Sequence, residues 1–294
     1  MNINFELYKV FYEVAKEKSI SKGAENLMIS QPAVSQSIQS LEYQLGGKLF
    51  IRTPKGVTLT NEGNELYNYI KDGIEYFING TNKFSSLKNL ESGSINIGAT
   101  TVISENYLLK YLKQFHSSFP NVQINIQNDL TDNLIKDLRN GNLDIVIFSY
   151  IDNNYKDLKI TELNELNDIF VHGNNYKIKS NRISDILKED IIIQKYPSQT
   201  RKNFNNFLNS NNLECTPKME VVSHNLVTKL IENNFGVGII TKEFVTDKLN
   251  KTLFEIDTNK KIPKRKLGIA IKNEIYPSFT TKKFIEILMN KMSN

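Results

Sequence analysis

The segment SISKGAENLMISQPAVSQSIQSLEYQL, residues 19–45, contains two short helical patterns separated by a tight turn. Ser19 is a candidate N-cap for the first helix, and Ser30 stands directly before Gln31-Pro32, where proline is favoured in a first helical turn. Apolar residues then recur at helical spacing through the second helix. They predict a buried face that consists of Val34, Ile38, Leu41 and Leu45.

The outward face of the second helix is predicted to be polar. Its members are Gln31, Ser35, Gln36, Gln39, Glu42 and Tyr43. Glutamine can bind adenine through two hydrogen bonds, serine can contact a base edge, and this helix pair is the arrangement that enters a DNA major groove. An ordinary solvated helix face explains the same side chains, so these residues alone leave both interpretations open.

A strand-turn-strand pattern follows, with Thr53-Pro54-Lys55-Gly56 between two apolar runs. Such a wing would bring Arg52 and Lys55 to DNA phosphates or to the minor groove. Thr60 then caps a long helix whose apolar stripe is too long for the wing to bury, so a second copy of the helix is its expected partner. The stripe comprises Leu66, Tyr69, Ile70, Ile74, Phe77, Phe84, Leu87 and Leu90.

From Gly93 onward, strand and helix patterns alternate, which predicts an α/β domain built on parallel strands. A second set of strands begins near residue 166, and the last strand and helix return to the first set. The expected domains are a helical winged domain at 1–60, a connecting helix at 61–92 and an α/β domain at 93–294. Within the α/β domain, subdomain I is expected at about 93–165 and 267–294, and subdomain II at about 166–266.

Hydroxyl side chains lie near several predicted strand ends, where parallel sheets bind ligands. The candidate ligand-binding residues are Thr100, Thr101, Ser149 and Thr200, with Phe148 and Tyr150 as expected walls of the pocket. Hydroxyls and N–H groups at helix N-termini suit an anion such as a carboxylate. A plain N-cap is the commoner role for each hydroxyl alone, but four at converging strand ends favour a site.

Composition limits the class of protein. The chain has 294 residues, of which 39% are hydrophobic and 23% charged, enough to build buried cores in more than one domain. One cysteine, Cys215, excludes a disulfide framework. No apolar run is long enough for a membrane helix and the first residues lack a signal pattern, so a cytoplasmic protein without a membrane partner is expected.

The net charge of +5 is weak evidence for nucleic-acid binding. Residues 1–60 carry seven basic and five acidic residues, so one copy should bind DNA weakly and a dimer would double its phosphate contacts. A basic run near the end of the chain is expected to be solvated surface. It comprises Lys260, Lys261, Lys264, Arg265 and Lys266.

An enzyme would need a nucleophile with an activating partner. Cys215 and His224 are nine residues apart, but no activating motif surrounds them. His116 and His172 lack a metal-ligand partner at helical spacing, and no nucleotide-binding glycine motif occurs. We therefore expect no catalytic site, no metal and no cofactor.

The first 65 residues resemble the winged helix-turn-helix of LysR-type transcriptional regulators. The resemblance rests on 11–17, 18–24, Leu27, 30–35, Ile38, Leu41-Glu42, Leu45-Gly46, Leu49-Phe50, Arg52, Leu59-Thr60 and Gly63. It implies an all-α winged helix-turn-helix followed by an α/β effector domain of two subdomains, similar to periplasmic binding proteins of type 2. It also implies double-stranded DNA, a small-molecule effector, a second copy in a dimer or tetramer, and RNA polymerase as partners.

By position, the family's DNA contacts fall on Gln31, Pro32 and Ser35 and on Arg52 and Lys55, and the exposed face adds Gln36 and Gln39. The effector positions coincide with the four hydroxyls named above. Gln36 stands where many members have arginine, which implies a weaker neutral contact. Gly23 stands where alanine is usual, a change of about 1 kcal/mol in helix propensity.

Two hypotheses follow from the sequence. The first is a DNA-binding transcriptional regulator controlled by a small, anionic effector held between two α/β subdomains. The second is a small-molecule-binding protein whose N-terminal helices serve only dimerisation. Sequence-selective DNA binding distinguishes them.

Overall fold

The computed structural model describes residues 3–54, 56–152, 155–273 and 276–289. Contacts divide the chain into two compact units, Met1–Ser86 and Leu87–Asn294. Each unit has its own buried core.

The first unit consists of helices with one two-stranded sheet, the wing. Its elements are α1 (Phe5–Glu17), α2 (Ile20–Leu27), α3 (Gln31–Leu45), β1 (Phe50–Thr53), β2 (Gly56–Leu59) and α4 (Asn61–Lys88). Helices α2 and α3 are joined by Met28, in the left-handed conformation, Ile29 and the N-cap Ser30. The helix-turn-helix predicted from the sequence is thus present.

Close packing of α2 on α1 explains the glycine at position 23. A Cβ atom added to Gly23 would lie 2.9 Å from Val14 Cγ2, which is closer than real Cβ contacts. Val34, Ile38 and Leu41 of α3 join Phe11 and Val14 in the core of this unit. The missing Cβ therefore offsets the lower helix propensity of glycine.

The predicted burial of α3 was wrong at two positions. Leu45 is 40% exposed, whereas Glu42, which we placed on the outward face, is only 7% exposed. Glu42 accepts hydrogen bonds from the backbone N–H groups of Leu49 (2.9 Å) and Phe50 (3.4 Å) and pairs with Lys48 Nζ at 2.7 Å. It turns inward because the chain entering β1 needs an acceptor that helical periodicity does not reveal.

The wing is fixed at both ends by backbone contacts. The Val57 N–H donates to Lys18 O at 3.1 Å, and a Cβ on Gly56, whose φ is +130°, would lie 2.5 Å from the same oxygen. Thr60 Oγ1 donates to Lys48 O and accepts from the Gly63 N–H, so it caps α4 as predicted. These contacts hold β1 and β2 beside α3.

The second unit contains two five-stranded mixed sheets. Its helices are α5 (Thr101–Ile103), α6 (Leu109–Ser118), α7 (Thr131–Asn140), α8 (Ile183–Ile186), α9 (Gln199–Ser210), α10 (His224–Glu232) and α11 (Phe279–Met289). Its strands are β3 (Ser94–Ala99), β4 (Gln123–Asn128), β5 (Ile145–Tyr150), β6 (Leu158–Leu166), β7 (Asp168–Gly173), β8 (Ile191–Gln194), β9 (Met219–Val221), β10 (Val237–Thr241), β11 (Leu253–Glu255) and β12 (Arg265–Lys272).

The first sheet has the order β4-β3-β5-β12-β6 and the second has the order β11-β7-β10-β8-β9. Strands β3, β4 and β5 are parallel, as are β8, β9 and β10, whereas β12 runs antiparallel to β5 and β6. The predicted parallel arrangement is thus found in β3, β4 and β5, while each sheet also contains antiparallel pairs, β12 with β5 and β6 in the first sheet and β7 with β10 and β11 in the second. The predicted α/β domain with two sets of strands is confirmed.

Two crossings connect the sheets. Only Asn167 separates the end of β6 in the first sheet from the start of β7 in the second, and the chain returns at Arg265, where β12 begins. Asn167 is held by Glu243, which accepts hydrogen bonds from its backbone N–H (2.9 Å) and from Nδ2 (2.6 Å). The sheets are thus joined at one short hinge region.

Candidate functional site

The exposed side of α3 presents a polar stripe. Gln31, Pro32, Gln36 and Gln39 are exposed, while Ser35 is half-buried. Ser35, Gln39 and the exposed Arg52 of β1 line one depression of about 240 Å³ between α3 and the wing. The structure brings these three predicted residues together, whereas Lys55 lies outside the described residues.

Glu42 shapes the electrostatics beneath this surface. Burial alone would raise the pKa of Glu42, but hydrogen bonds from Lys48 and from the Leu49 and Phe50 amides outweigh it, so its pKa is lowered. The carboxylate therefore stays charged and cancels the charge of Lys48. Among the described residues of the wing, Arg52 is the positively charged one, and its side chain is exposed.

A cavity of about 500 Å³ lies in the second unit, between its two sheets. Its wall includes the ends of strands, the first turns of α7, α9 and α10, and the turn after β3. All four predicted hydroxyls line it, namely Thr100, Thr101, Ser149 and Thr200. The volume is in the range of small-molecule sites.

The hydroxyls do not all have the roles that the sequence suggested. Thr100 is the N-cap residue of α5, yet its side chain makes no capping bond. Ser149 lies within β5 and not after it, and Thr200 lies inside the first turn of α9, which Ser198 caps instead. Plain N-capping therefore does not explain Thr100 or Thr200.

A buried ion pair at the base of the cavity was missed by the sequence analysis. Arg265 is 2% exposed and Asp168 is 3% exposed. The guanidinium donates to both Asp168 oxygens at 2.7 Å from Nε and Nη2, and to Ser149 Oγ at 2.6 Å from Nη1. Thr200 and Thr241 accept further bonds from Nη2 at 3.2 and 2.8 Å.

Our expectation that Arg265 is solvated surface was therefore wrong. Lysines beside it in the sequence are exposed, as at Lys264 and Lys266, but Arg265 starts β12 at the crossing between the sheets. Its partner Asp168 starts β7 at the other crossing, 97 residues earlier in the chain. A contact of such long range leaves no local pattern.

Phe148 and Tyr150 do not form walls of the cavity. Both pack in a hydrophobic cluster with Leu134 and Tyr155, and Phe148 is fully buried. Side chains alternate across a strand, so Ser149 on the cavity side of β5 puts its two neighbours on the opposite face. The cavity's apolar lining comes instead from Leu130, Tyr196, Pro197 and Val222, together with Val102, Ile103 and Phe244.

His224 is a further cavity residue that was not assigned to the site. It begins α10 and is 7% exposed, and within the described part of the chain neither ring nitrogen has a hydrogen-bond partner. Burial, followed by the nearby charge of Lys248, lowers the pKa of His224 to about 4, so the ring is neutral near pH 7. Ser223, a residue type favoured at helix N-caps, stands directly before it and was the available sequence signal.

A Cys–His catalytic pair finds no support. Cys215 packs against the hydrophobic cluster formed by residues such as Phe204 and Phe207, and burial raises its pKa, which disfavours the thiolate.

In the described ranges, no group of three or more His, Cys, Asp or Glu side chains is placed to hold a metal. None of the described helices is long and apolar enough to cross a membrane.

Comparison with known proteins agrees with the two-unit organisation. Residues 5–64 match the family of bacterial regulatory helix-turn-helix proteins of the LysR type, and residues 88–293 match the LysR substrate-binding domain. The regulator CysL of Bacillus subtilis is 26% identical over 268 residues, which cover 90% of this chain and 89% of CysL. An uncharacterised transcriptional regulator of Methanocaldococcus jannaschii is 28% identical over 248 residues, covering 82% and 83%.

Solved structures of other proteins share the fold. A full-length OxyR variant from Pseudomonas aeruginosa superposes with a TM-score of 0.78 at 18% identity, covering 99% of this chain and all of that one. Full-length CbnR in complex with its target DNA gives a TM-score of 0.65 at 15% identity, covering 99% and 100%. CysL, the protein from Methanocaldococcus jannaschii and CbnR are each described as transcriptional regulators. The chain belongs to the LysR family of transcriptional regulators, with a helix-turn-helix for DNA and an effector-binding domain.

Proposed function

We propose that this regulator reads DNA with the exposed side of α3 and is controlled by a small anionic molecule in the cavity of its second unit. The observation that carries the first half is the polar stripe of α3 beside the wing. Gln31, Pro32, Ser35, Gln36 and Gln39 supply uncharged hydrogen-bonding or contact groups for base edges. Arg52, together with Lys55, supplies the phosphate contacts.

Self-association through α4 accompanies DNA binding in this proposal. This helix of 28 residues leaves large apolar side chains exposed, including Tyr69 (77%), Tyr76 (78%) and Phe77 (66%). Exposed apolar surface of this extent is typical of a protein interface. A dimer or tetramer brings two or more copies of α3 to one DNA site, and RNA polymerase is the further partner through which transcription responds.

The effector half of the proposal rests on the cavity. Thr100, Thr101, Ser149 and Thr200 supply hydroxyls, and the first turns of α7, α9 and α10 supply N–H groups with a partial positive charge. A ligand that binds both sheets stabilises one arrangement of the hinge at Asn167 and Arg265. For control of transcription, the ligand must bind one arrangement better than the other.

Fluorescence anisotropy tests the DNA half of the proposal. The full-length protein is titrated into a labelled duplex from upstream of its own gene and into a shuffled duplex of equal length, at two salt concentrations. We expect tighter binding of the natural duplex, by 10³-fold or more in a typical specific complex. Equal affinity for both duplexes would favour the second hypothesis, in which the N-terminal helices serve only dimerisation.

A further inference from the structure

The wall of the cavity contains an unsatisfied polar group. His224 is more than nine-tenths buried, and apart from a weak interaction with the adjacent Asn225 side chain, neither of its ring nitrogens has a partner among the residues that the structure describes. Buried polar groups in proteins are almost always hydrogen-bonded, so an unpartnered one needs an explanation. Because His224 lines the cavity, a bound molecule is the partner that its position indicates.

Helix ends around His224 favour a negative charge at the same place. His224 is the first residue of α10, which has nine residues, and the 12-residue α9 also begins at the cavity. The first turn of α7, which has no side-chain cap, lines the cavity as well. Several helix N-termini around one cavity favour an anion.

The charged groups limit that anion to a single charge. Arg265 is already bound to both oxygens of Asp168, so its charge is neutralised. The other charged residues of the lining are Lys195, Glu105 and Asp129. The two carboxylates would repel a second negative charge on the ligand, and only the exposed Lys195 would attract it.

Apolar side chains occupy another part of the lining. Tyr196 is 63% exposed, Val222 is 77% exposed and Leu130 is 44% exposed, although all three lie at the cavity. Covering such surfaces gains about 25 cal/mol per Å² of apolar area. A bare inorganic anion or acetate would leave them in water.

We propose that the cavity binds a small monocarboxylate with an apolar body, with the carboxylate beside His224 at the first turns of α9 and α10 and the body against Leu130, Tyr196 and Val222. This inference rests on the proposed function, because it names the chemical class of the effector. The imidazole N–H donates to the carboxylate, and the first-turn N–H groups donate to its other lone pairs.

Phenylacetate is the probe that tests this class, because each comparison compound changes one property. Phenylacetamide removes the charge, acetate removes the apolar body, and phenylmalonate adds a second carboxylate. Titration calorimetry with the full-length protein near pH 7 should show phenylacetate binding about tenfold or more tighter than each of the other three. No binding of phenylacetate, or equal binding of any comparison compound, would overturn the proposal.

The role of His224 has its own readout, because the chain contains three histidines. In NMR spectra of the imidazole nitrogens, phenylacetate should shift the His224 signals and leave those of His116 and His172 unchanged. His224→Phe should weaken phenylacetate binding about tenfold or more, whereas His172→Phe, on a ring that lies outside the cavity, should not. Binding without a shift at His224 would show that the carboxylate lies elsewhere.

Failure of this inference is distinguishable from failure of the proposed function. The same protein preparation is tested for selective DNA binding by anisotropy. Selective DNA binding without phenylacetate binding would reject the monocarboxylate class and leave the regulator intact. Phenylacetate binding without selective DNA binding would reject the DNA half of the proposed function alone.

Discussion

At the scale of single residues, Glu42 connects α3 to the start of β1. Its carboxylate accepts from two backbone amides and from Lys48, and its side chain is almost fully buried. Gln31 and Gln36 of the same helix are exposed, unlike Glu42. Substitutions at Glu42 and at these exposed glutamines should therefore affect different properties.

Glu42→Gln should lower the free energy of unfolding of the first unit by about 1–3 kcal/mol, because a neutral amide satisfies the buried donors less well. Thermal or urea unfolding of the full chain measures the loss, with the exposed Glu25→Gln as control. The lowered pKa of Glu42 means that its stabilisation is present above pH 4.5 and is lost as pH falls through its folded-state pKa. The difference in free energy of unfolding between the wild type and Glu42→Gln should therefore shrink at low pH. A difference that grew as the pH was lowered would contradict the lowered pKa of Glu42.

Gln31→Ala should reduce discrimination between the natural and altered DNA sites by about 1–3 kcal/mol, with little change in affinity for shuffled DNA. Arg52→Ala should weaken all duplexes alike and reduce the slope of log affinity against log salt by about one. Anisotropy titrations over a salt series measure both effects. Equal loss of sequence discrimination in the two variants would contradict the assignment of Gln31 to base contacts and of Arg52 to phosphate contacts.

At the scale of elements, the pair Asp168–Arg265 ties the first residue of β7 to the first residue of β12. The chain passes from one sheet to the other at the start of each of these strands. Asn203 Nδ2 adds bonds to Asp168 Oδ2 and to Pro263 O, each at 2.8 Å, so α9 is connected to the same place. The hinge is therefore a network of hydrogen-bonded, buried polar side chains at the two crossings.

Asp168→Asn should destabilise the second unit by about 3–5 kcal/mol, because it leaves the Arg265 charge buried without its partner. The double variant Asp168→Leu with Arg265→Met should recover part of that loss. Glu165→Gln is the matched control, since Glu165 and Lys264 form a neighbouring pair at 2.6 Å that is exposed to water and should contribute little to stability. A loss in the double variant equal to the sum of the losses in Asp168→Leu alone and Arg265→Met alone, measured by urea unfolding, would argue against coupling.

The helices and strands also show how much of the fold could be predicted from the sequence. The periodicity and caps of α3 are local, so its bounds and most of its buried face followed from residues 30–45. The strand β6 and the π-helical turn at Ser104–Leu108 were not predicted, because neither has a distinct local pattern. Arg265 was assigned to the surface because its neighbours in the chain are solvated, while Asp168 lies far away in sequence.

At the scale of the whole molecule, the distribution of charge argues for more than one copy on DNA. The net charge of +5 is not concentrated in α3, which contains no lysine or arginine and one carboxylate, Glu42. Since Lys48 pairs with Glu42, we propose Arg52 and Lys55 as the phosphate contacts of each copy. A dimer doubles these contacts and raises the affinity without any new interaction.

A symmetric dimer makes a prediction about the DNA itself. Two copies of α3 related by a two-fold axis bind two half-sites of an inverted repeat, separated by about 10 base pairs or a multiple of that distance. Phe77→Asp on the exposed stripe of α4 should weaken self-association, as measured by sedimentation, and reduce DNA affinity with it. Unchanged sedimentation would place the dimer interface elsewhere.

Selection of bound duplexes from a random-sequence library tests the central claim most directly. The full-length protein is incubated with the library at moderate salt, and bound DNA is sequenced over several rounds beside the Gln31→Ala variant. We expect the wild type to enrich an inverted repeat. The variant should enrich the same repeat without a base preference at one position of each half-site. A pool that stays as random as the starting library would contradict the claim that α3 reads DNA sequence.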